Sequence, residues 1–332
     1  MALPRPVRRL LLPVTVGVEL VLLIVLAVTA VVGALSVVLD RRQRVLRLAL
    51  MGAAYIAIEL AGLGALLAVW VATPFRGRPA TEASNTAVLG WALTRILGAA
   101  RRTVGFEVVL PEPLPVTALD DDGPLLVLAR HGGIGDSYAL VWLLTARYHR
   151  RPCVVLKEVL LWEPLLDVAL SRLGACFLPR SARSAGERER LIASAAAALG
   201  AGDALLLFPE GGNWTPGRHR SARLRLLAAR QHRAARAAAL MDHVLPPRPG
   251  GVLACLEARP DIGVVIVAHS GLDKVTSVSL LWANLPFDIP MSVRWWPAAT
   301  VPCDEAARIE WLTTEWAVVD QWIDARHDGR AV

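Results

Sequence analysis

A histidine and an aspartate five positions apart, His131 and Asp136, stand in the stretch VLARHGGIGDSYALVW (Val127–Trp142), with Gly132, Gly133 and Gly135 between them. On a continuous helix that separation would turn the two side chains well apart, but a glycine-rich turn lets the carboxylate fold back onto the imidazole. An imidazole held in this way is a general base, and the aspartate fixes its tautomer and steadies the imidazolium that forms. The plainer alternative is an aspartate that only caps the following helix and a histidine that only occupies a loop. Spacing alone does not choose between them.

Three further stretches place polar side chains just past apolar runs. In ALLLFPEGGNWTP, turn chemistry accounts for Pro209, Gly211 and Gly212 but does not require Glu210. LGACFLPRSA ends on Arg180, whose planar fork of donors suits a phosphate, although a solvated surface arginine also fits there. VVLKEVLLWEP sets Lys157 beside Glu158, a pair that fits either a strand-end site or an ordinary solvated ion pair.

These stretches need strands to end at a common edge. Short aliphatic runs, FEVVL, PLLVLA, CVVL, ACFLP, ALLLF, GVVIVA and MSVRWW, alternate with helical stretches such as Ser137–Tyr148, Glu187–Leu199 and Ser221–Met241. The alternation predicts an α/β fold with a mixed, largely parallel sheet flanked by helices, which collects sites where strands end.

The amino end reads differently. Leu20–Leu39 has no charged residue, and Leu48–Phe75 has only Glu59. Each run reaches the roughly 20 residues that cross a hydrocarbon core as a helix. A signal peptide has a shorter apolar centre and no second run behind it. The reading is a two-helix membrane segment over 1–78, with helices at about 11–39 and 48–75, then a catalytic domain over 79–332 joined through ATPFRGRPATEASNT as a linker. Arginines precede, join and follow the two runs, so the positive-inside rule does not orient them, and a shallow hairpin that enters and leaves one leaflet is an alternative to a full crossing.

The chain has 332 residues and a net charge of +7, and all of its 36 basic residues except Lys157 and Lys274 are arginines. That balance suits anionic lipids and anionic small molecules; no recognisable nucleic-acid module accompanies it. Cys153, Cys176, Cys255 and Cys303 have neither disulfide nor zinc-ligand spacing, so a reducing compartment and no metal are expected.

Taken together, the four stretches resemble the glycerophosphate and lysophosphatidate acyltransferase family, over about Ala80–Trp322. His131 and Asp136 match its His-x4-Asp block, and Lys157, Glu158 and Pro164 match its Lys-Glu block. Gly174, Phe177 and Arg180 match Gly-x-x-Phe-x-x-Arg, and Phe208 to Gly211 match Phe-Pro-Glu-Gly. His243, Pro247 and Arg248 in DHVLPPRPGG are similar to a segment of the subgroup that includes lysocardiolipin acyltransferases. Arg130 stands where the family commonly has Asn, and Gly212 where Thr or Ser is common.

The resemblance implies acyl transfer from a thioester, acyl-CoA or acyl carrier protein, to the hydroxyl of a lysophospholipid, with 1-acylglycerol-3-phosphate as the leading acceptor. No cofactor is implied beyond that co-substrate. His131 would be the base and Asp136 its support. Arg180 with Lys157 would hold the acceptor phosphate, while Glu210, in its loop with Gly211, would position the acceptor head or Arg180. Loop amides near the glycines, or Arg130, would meet the oxyanion. Membrane lipids are the expected partners, and because these thioesters are cytosolic the domain is expected on the cytoplasmic face of the cell membrane. The alternatives are another lysophospholipid or glycolipid acceptor, or a non-catalytic lipid binder of the same fold.

Overall fold

The computed structural model describes residues 5–36, 40–110, 122–133, 135–157, 161–178, 185–272, 278–288, 290–298 and 300–327. They fall into two compact units: Met1–Glu107, Tyr138–Ser181 and Leu281–Pro290 in the first, and Val108–Ser137, Ala182–Leu280 and Met291–Val332 in the second.

The first unit opens with three long helices, α1 (Arg5–Leu35), α2 (Arg44–Arg76) and α3 (Arg78–Val104). Two of them, over Pro6–Leu35 and Arg44–Phe75, are long and apolar enough to cross a membrane. On α1 the exposed residues Val14, Val18, Val21, Val25, Val28 and Val32 recur every three or four positions and so form one apolar stripe along the helix.

The segment read as a linker is helical instead. Gly77, with φ 72°, breaks the chain between α2 and α3, and the proline behind it starts a new helix at its first turn. Of the polar residues that suggested a loop, Thr81, Glu82, Ser84 and Thr86 are half-buried and Asn85 is buried, on the helix that also buries Leu89, Leu93 and Ile96. The hairpin of α1 and α2 is tied to its own unit at both ends. Arg8 pairs with Asp167 of α5 (Pro164–Arg172) at 2.8 Å, and Arg42 donates to the carbonyl of Ala283. This unit also carries the parallel strands β3 (Arg151–Lys157) and β4 (Cys176–Leu178).

The second unit is built on five strands in the order β1-β7-β6-β2-β5. They are β1 (Val108–Val109), β2 (Leu125–Ala129), β5 (Asp203–Leu207), β6 (Gly263–Ser270) and β7 (Met291–Pro297). Among the described pairings only β6 with β7 is antiparallel, so the sheet is mixed and largely parallel, as the alternation of runs implies. Every residue of β2 and β5 is buried, which is why β2 and, after Asp203, β5 read as unbroken aliphatic runs. FEVVL is reduced to the edge pair Val108–Val109.

Helices α6 (Ala185–Ala197) and α9 (Pro249–Ala258) pack together within this unit, and α11 (Glu305–His327) buries Leu312, Trp316, Val319 and Ile323. The expected helix at Ser221–Met241 is two, α7 (Pro216–Ala228) and α8 (His232–Ala239), separated by Arg230 at φ 58°. Neither Gly nor Pro marks that break. Helices α4 (Asp136–Trp142) and α10 (Val278–Ala283) carry the chain across the unit boundaries, and a single π-helical turn over Leu143–Arg147 ends the stretch expected at Ser137–Tyr148.

Candidate active site

Strand register delivers the site. Leu128 of β2 is level with Leu207 of β5, and Ala129 is level with Val267 of β6. Three residues past the first pair stand His131 and Glu210; two past the second stand His131 and His269. Parallel strands thus bring three titratable groups from distant parts of the chain to one carboxyl edge.

The loop then folds as the glycines permit. Asp136 begins α4 and turns back, so that its Oδ2 lies 2.8 Å from His131 Nδ1. The amides of Gly132 and Gly133 donate to the same oxygen, and the amide and hydroxyl of Ser137 donate to Oδ1. A Cβ on Gly133 would stand 2.6 Å from the carbonyl oxygen of Leu272, so no larger residue fits without a backbone shift.

Asp136 is 1% exposed. Burial alone would push its carboxyl up, but the His131 hydrogen bond and the His131 and His269 charges hold it below its ordinary 3.8. The anionic aspartate fixes Nδ1 as the protonated nitrogen of His131 and leaves Nε2 as the acceptor. Nε2 has no hydrogen-bond partner among the described residues, and the ring packs on Phe208, centroids 4.6 Å apart.

Glu210 is wholly internal. Its two oxygens accept from the amides of His131 (2.9 Å) and Leu245 (2.8 Å). Burial pushes its carboxyl up to about 7, against the opposing pull of Arg130 and those two amides. The geometry makes Glu210 a strut between two loops, buried away from any acceptor head group. A second strut runs from the amide of Trp214 to the carbonyl of His131 at 2.8 Å. Gly211 follows at φ 70°, in the left-handed region, with the Arg248 guanidinium 3.2 Å from where a Cβ would sit. Arg248 is held below its ordinary value by partial burial and by the charges of Arg225 and Arg188.

Arg130 has a different place from the one expected. Fully buried, it donates Nε and Nη2 to the carbonyl of His243 and Nη1 to that of His269. Its donors are therefore directed at backbone, as are the amides of Gly132 and Gly133 at Asp136, and none of these three points at an oxyanion. His269 in turn lies 2.9 Å from the carbonyl of Arg130 and 3.7 Å from Asp136 Oδ2.

One contributor carries no motif. Asp320 of α11, 6% exposed, accepts the amides of Asp242 and His243 and so fixes the carbonyl that Arg130 grips. Its signal in the sequence is a carboxylate on the apolar stripe of Trp316, Val319 and Ile323. Of the remaining expected residues, Arg180 and Glu158 lie outside the described residues. Lys157 closes β3 in the first unit, where its backbone alone is described. Among the described residues no group of three or more His, Cys, Asp or Glu is placed to hold a metal ion.

A family model described as Acyltransferase matches residues 105–269, the span that holds His131, Asp136, Glu210 and His269. A comparison with the curated proteins finds no match. Among solved structures the chain is similar to the 1-acyl-sn-glycerophosphate (LPA) acyltransferase PlsC from Thermotoga maritima. The two are 14% identical with a TM-score of 0.56 over 83% of this chain and 92% of that one, a likeness of fold. The match gives the chain an acyltransferase domain over residues 105–269, on a fold shared with that solved structure.

Proposed function

We propose that this protein moves a fatty acyl group from acyl-CoA or acyl carrier protein to the free hydroxyl of a lysophospholipid at a membrane surface, with 1-acylglycerol-3-phosphate the leading acceptor and phosphatidate the product. The observation that carries the reading is the 2.8 Å contact of His131 Nδ1 with a buried, multiply bonded Asp136, which leaves Nε2 to take a proton. The acceptor hydroxyl gives its proton to Nε2 as its oxygen attacks the thioester carbonyl, and the carbonyl π electrons move onto oxygen. Collapse of that tetrahedral intermediate breaks the C–S bond, and the imidazolium returns the proton to the departing thiolate. No acyl-enzyme is required. General-base assistance of this kind supplies about 10²–10⁴-fold.

Arg180 and Lys157 remain the proposed holders of the acceptor phosphate. Arg248, on Gly211 and close to Arg225 and Arg188, adds a positively charged neighbourhood one residue beyond Glu210.

The α1–α2 hairpin is proposed to insert into one leaflet rather than to cross. A helix of 31 residues is about 46 Å long, more than the roughly 30 Å of a hydrocarbon core. A crossing would separate its ends by the whole bilayer. Yet Arg8 near one end bonds Asp167, and Arg42 in the connection at the other bonds the carbonyl of Ala283, both in the same unit. The exposed valine stripe of α1, with Leu67, Trp70, Val71 and Phe75 of α2, is the surface offered to lipid. The proposed thioester donors are cytosolic, which supports a site on the cytoplasmic face.

Purified membranes containing the protein, given labelled acyl-CoA and a panel of lysophosphatidate, lysophosphatidylglycerol and monoacylglycerol, test the reading. Labelled phosphatidate from the first acceptor is expected. Transfer confined to an acceptor without phosphate would move the assignment to another lipid alcohol.

A further inference from the structure

The connection between α1 and α2 does more than reverse the chain. Asp40 accepts the amides of Arg42 (3.2 Å) and Arg44 (2.6 Å) and so fixes the turn that starts α2. Arg42 Nη1 then reaches the carbonyl of Ala283, and Arg47 reaches those of Thr103 and Arg42. Between this turn and the segment from Ala283 to Asp288 lies a cleft of about 640 Å³. Its far wall is firm, because Leu285 is fully buried against Ala100 and Val104 and is backed by Phe106 and Phe287.

The charge of the cleft is one-sided. Arg41, Arg42 and Arg47 line it against the single carboxylate of Asp288, which forms no ion pair with any of them. Arg41 makes no hydrogen bond or ion pair among the described residues, and the side chains of Arg42 and Arg47 use only part of their donor sets on backbone carbonyls. Three guanidinium groups drawn around one space repel each other unless an anion stands among them, and their planar forks match the oxygens of a phosphate. Just outside, Arg44 lies over the ring of Trp282 at 5.6 Å, and that indole is 41% exposed. An exposed tryptophan beside arginines at the end of two apolar helices is the chemistry of a membrane–water interface.

We propose that this cleft binds the phosphate of an anionic membrane lipid and thereby sets how the hairpin turn sits at the bilayer surface. The proposal rests on the membrane association argued above and not on the acyl-transfer reaction, so its test reads binding and not turnover. Full-length protein is floated with vesicles of phosphatidylcholine alone, and of phosphatidylcholine with about a quarter phosphatidylglycerol. Three variants are compared with the parent: Arg41→Glu, Asp288→Asn, and Arg220→Glu on α7 as a control of equal charge change.

Arg41→Glu is expected to lose about fivefold or more of the preference for the anionic vesicles while binding phosphatidylcholine as before. Asp288→Asn is expected to raise that preference, and Arg220→Glu to leave most of it. An unchanged preference in Arg41→Glu, or an equal loss in Arg220→Glu, overturns the proposal, since either means diffuse attraction rather than a site. Inorganic phosphate provides the last arm. If it raises the melting temperature of the parent but not of Arg41→Glu, while vesicle preference is the same in both, the cleft holds a soluble phosphate and the lipid assignment fails.

Discussion

Asp136 Oδ2 stands 2.8 Å from His131 Nδ1 while accepting the amides of Gly132 and Gly133, so the acid that orients the imidazole is itself oriented by the backbone of the same loop. The pair and its support are one local structure. Glycine makes it accessible, and the sheet register delivers it to the edge where Glu210 and His269 arrive.

Asp136→Asn tests that arrangement twice. Without the charge, the tautomer is no longer enforced and the imidazolium is no longer stabilised, so kcat/KM is expected to fall by about 10²–10⁴-fold. The variant also changes acid stability. Because the folded carboxyl is held below its ordinary 3.8, its contribution is complete above that pH and is lost as pH falls through the lower folded value. Acid unfolding followed by circular dichroism is expected to show a shallower dependence below about pH 4 in Asp136→Asn than in the parent.

Glu210 gives the opposite sign. Its folded value of about 7 lies above the ordinary 4.5, so the folded state binds the proton more tightly and stability declines as pH rises through that interval. Glu210→Gln removes this slope, and denaturant titrations across the interval are expected to show the parent losing stability while the variant does not. The variant also turns an amide nitrogen toward one of the two backbone donors, with an expected cost of about 1–3 kcal/mol.

Gly133→Ala places a methyl group 2.6 Å from the Leu272 carbonyl. Overpacking of that kind costs about 1–3 kcal/mol, and here the displaced element is the loop that holds His131. A lower melting temperature together with a fall in kcat is expected. The same substitution at Gly64, where a Cβ meets nothing within 4 Å, serves as the comparison and is expected to leave kcat unchanged.

Asp320 acts at a distance, through the His243 carbonyl that Arg130 grips. Asp320→Ala leaves two backbone amides without their acceptor, at about 1–3 kcal/mol. As a positioning residue it is expected to lower kcat more than it raises KM. Asp320→Asn, which keeps one acceptor oxygen, is expected to recover part of the rate. Equal recovery by a general stabilising osmolyte would reduce Asp320 to a stability role.

The site was legible in the sequence where chemistry and local geometry coincide. His131 and Asp136 lie within one turn, and the aliphatic runs of β2 and β5 mark where strands stop. What depended on three-dimensional register was hidden. Nothing in GVVIVAHS tells that His269 ends level with His131, and the Arg at position 130 looks like a surface charge until its three bonds to carbonyls are seen. Glu210 was visible as an anomaly in a turn, but whether it faces substrate or backbone is decided by Leu245, 35 residues away. The fold itself followed from strand and helix alternation. Its helix breaks at Gly77 and Arg230 did not: one was masked by a polar segment that reads as a linker, the other by an Ala- and Arg-rich run with no breaking residue.

The most direct measurement is thioester-dependent acylation of lysophosphatidate by the parent and by His131→Ala, each purified in the same detergent and matched by thermal melting. A fall of about 10²–10⁴-fold in kcat with an intact melting transition is the expected result. Unchanged turnover in the folded variant would contradict the assignment of His131 as the base.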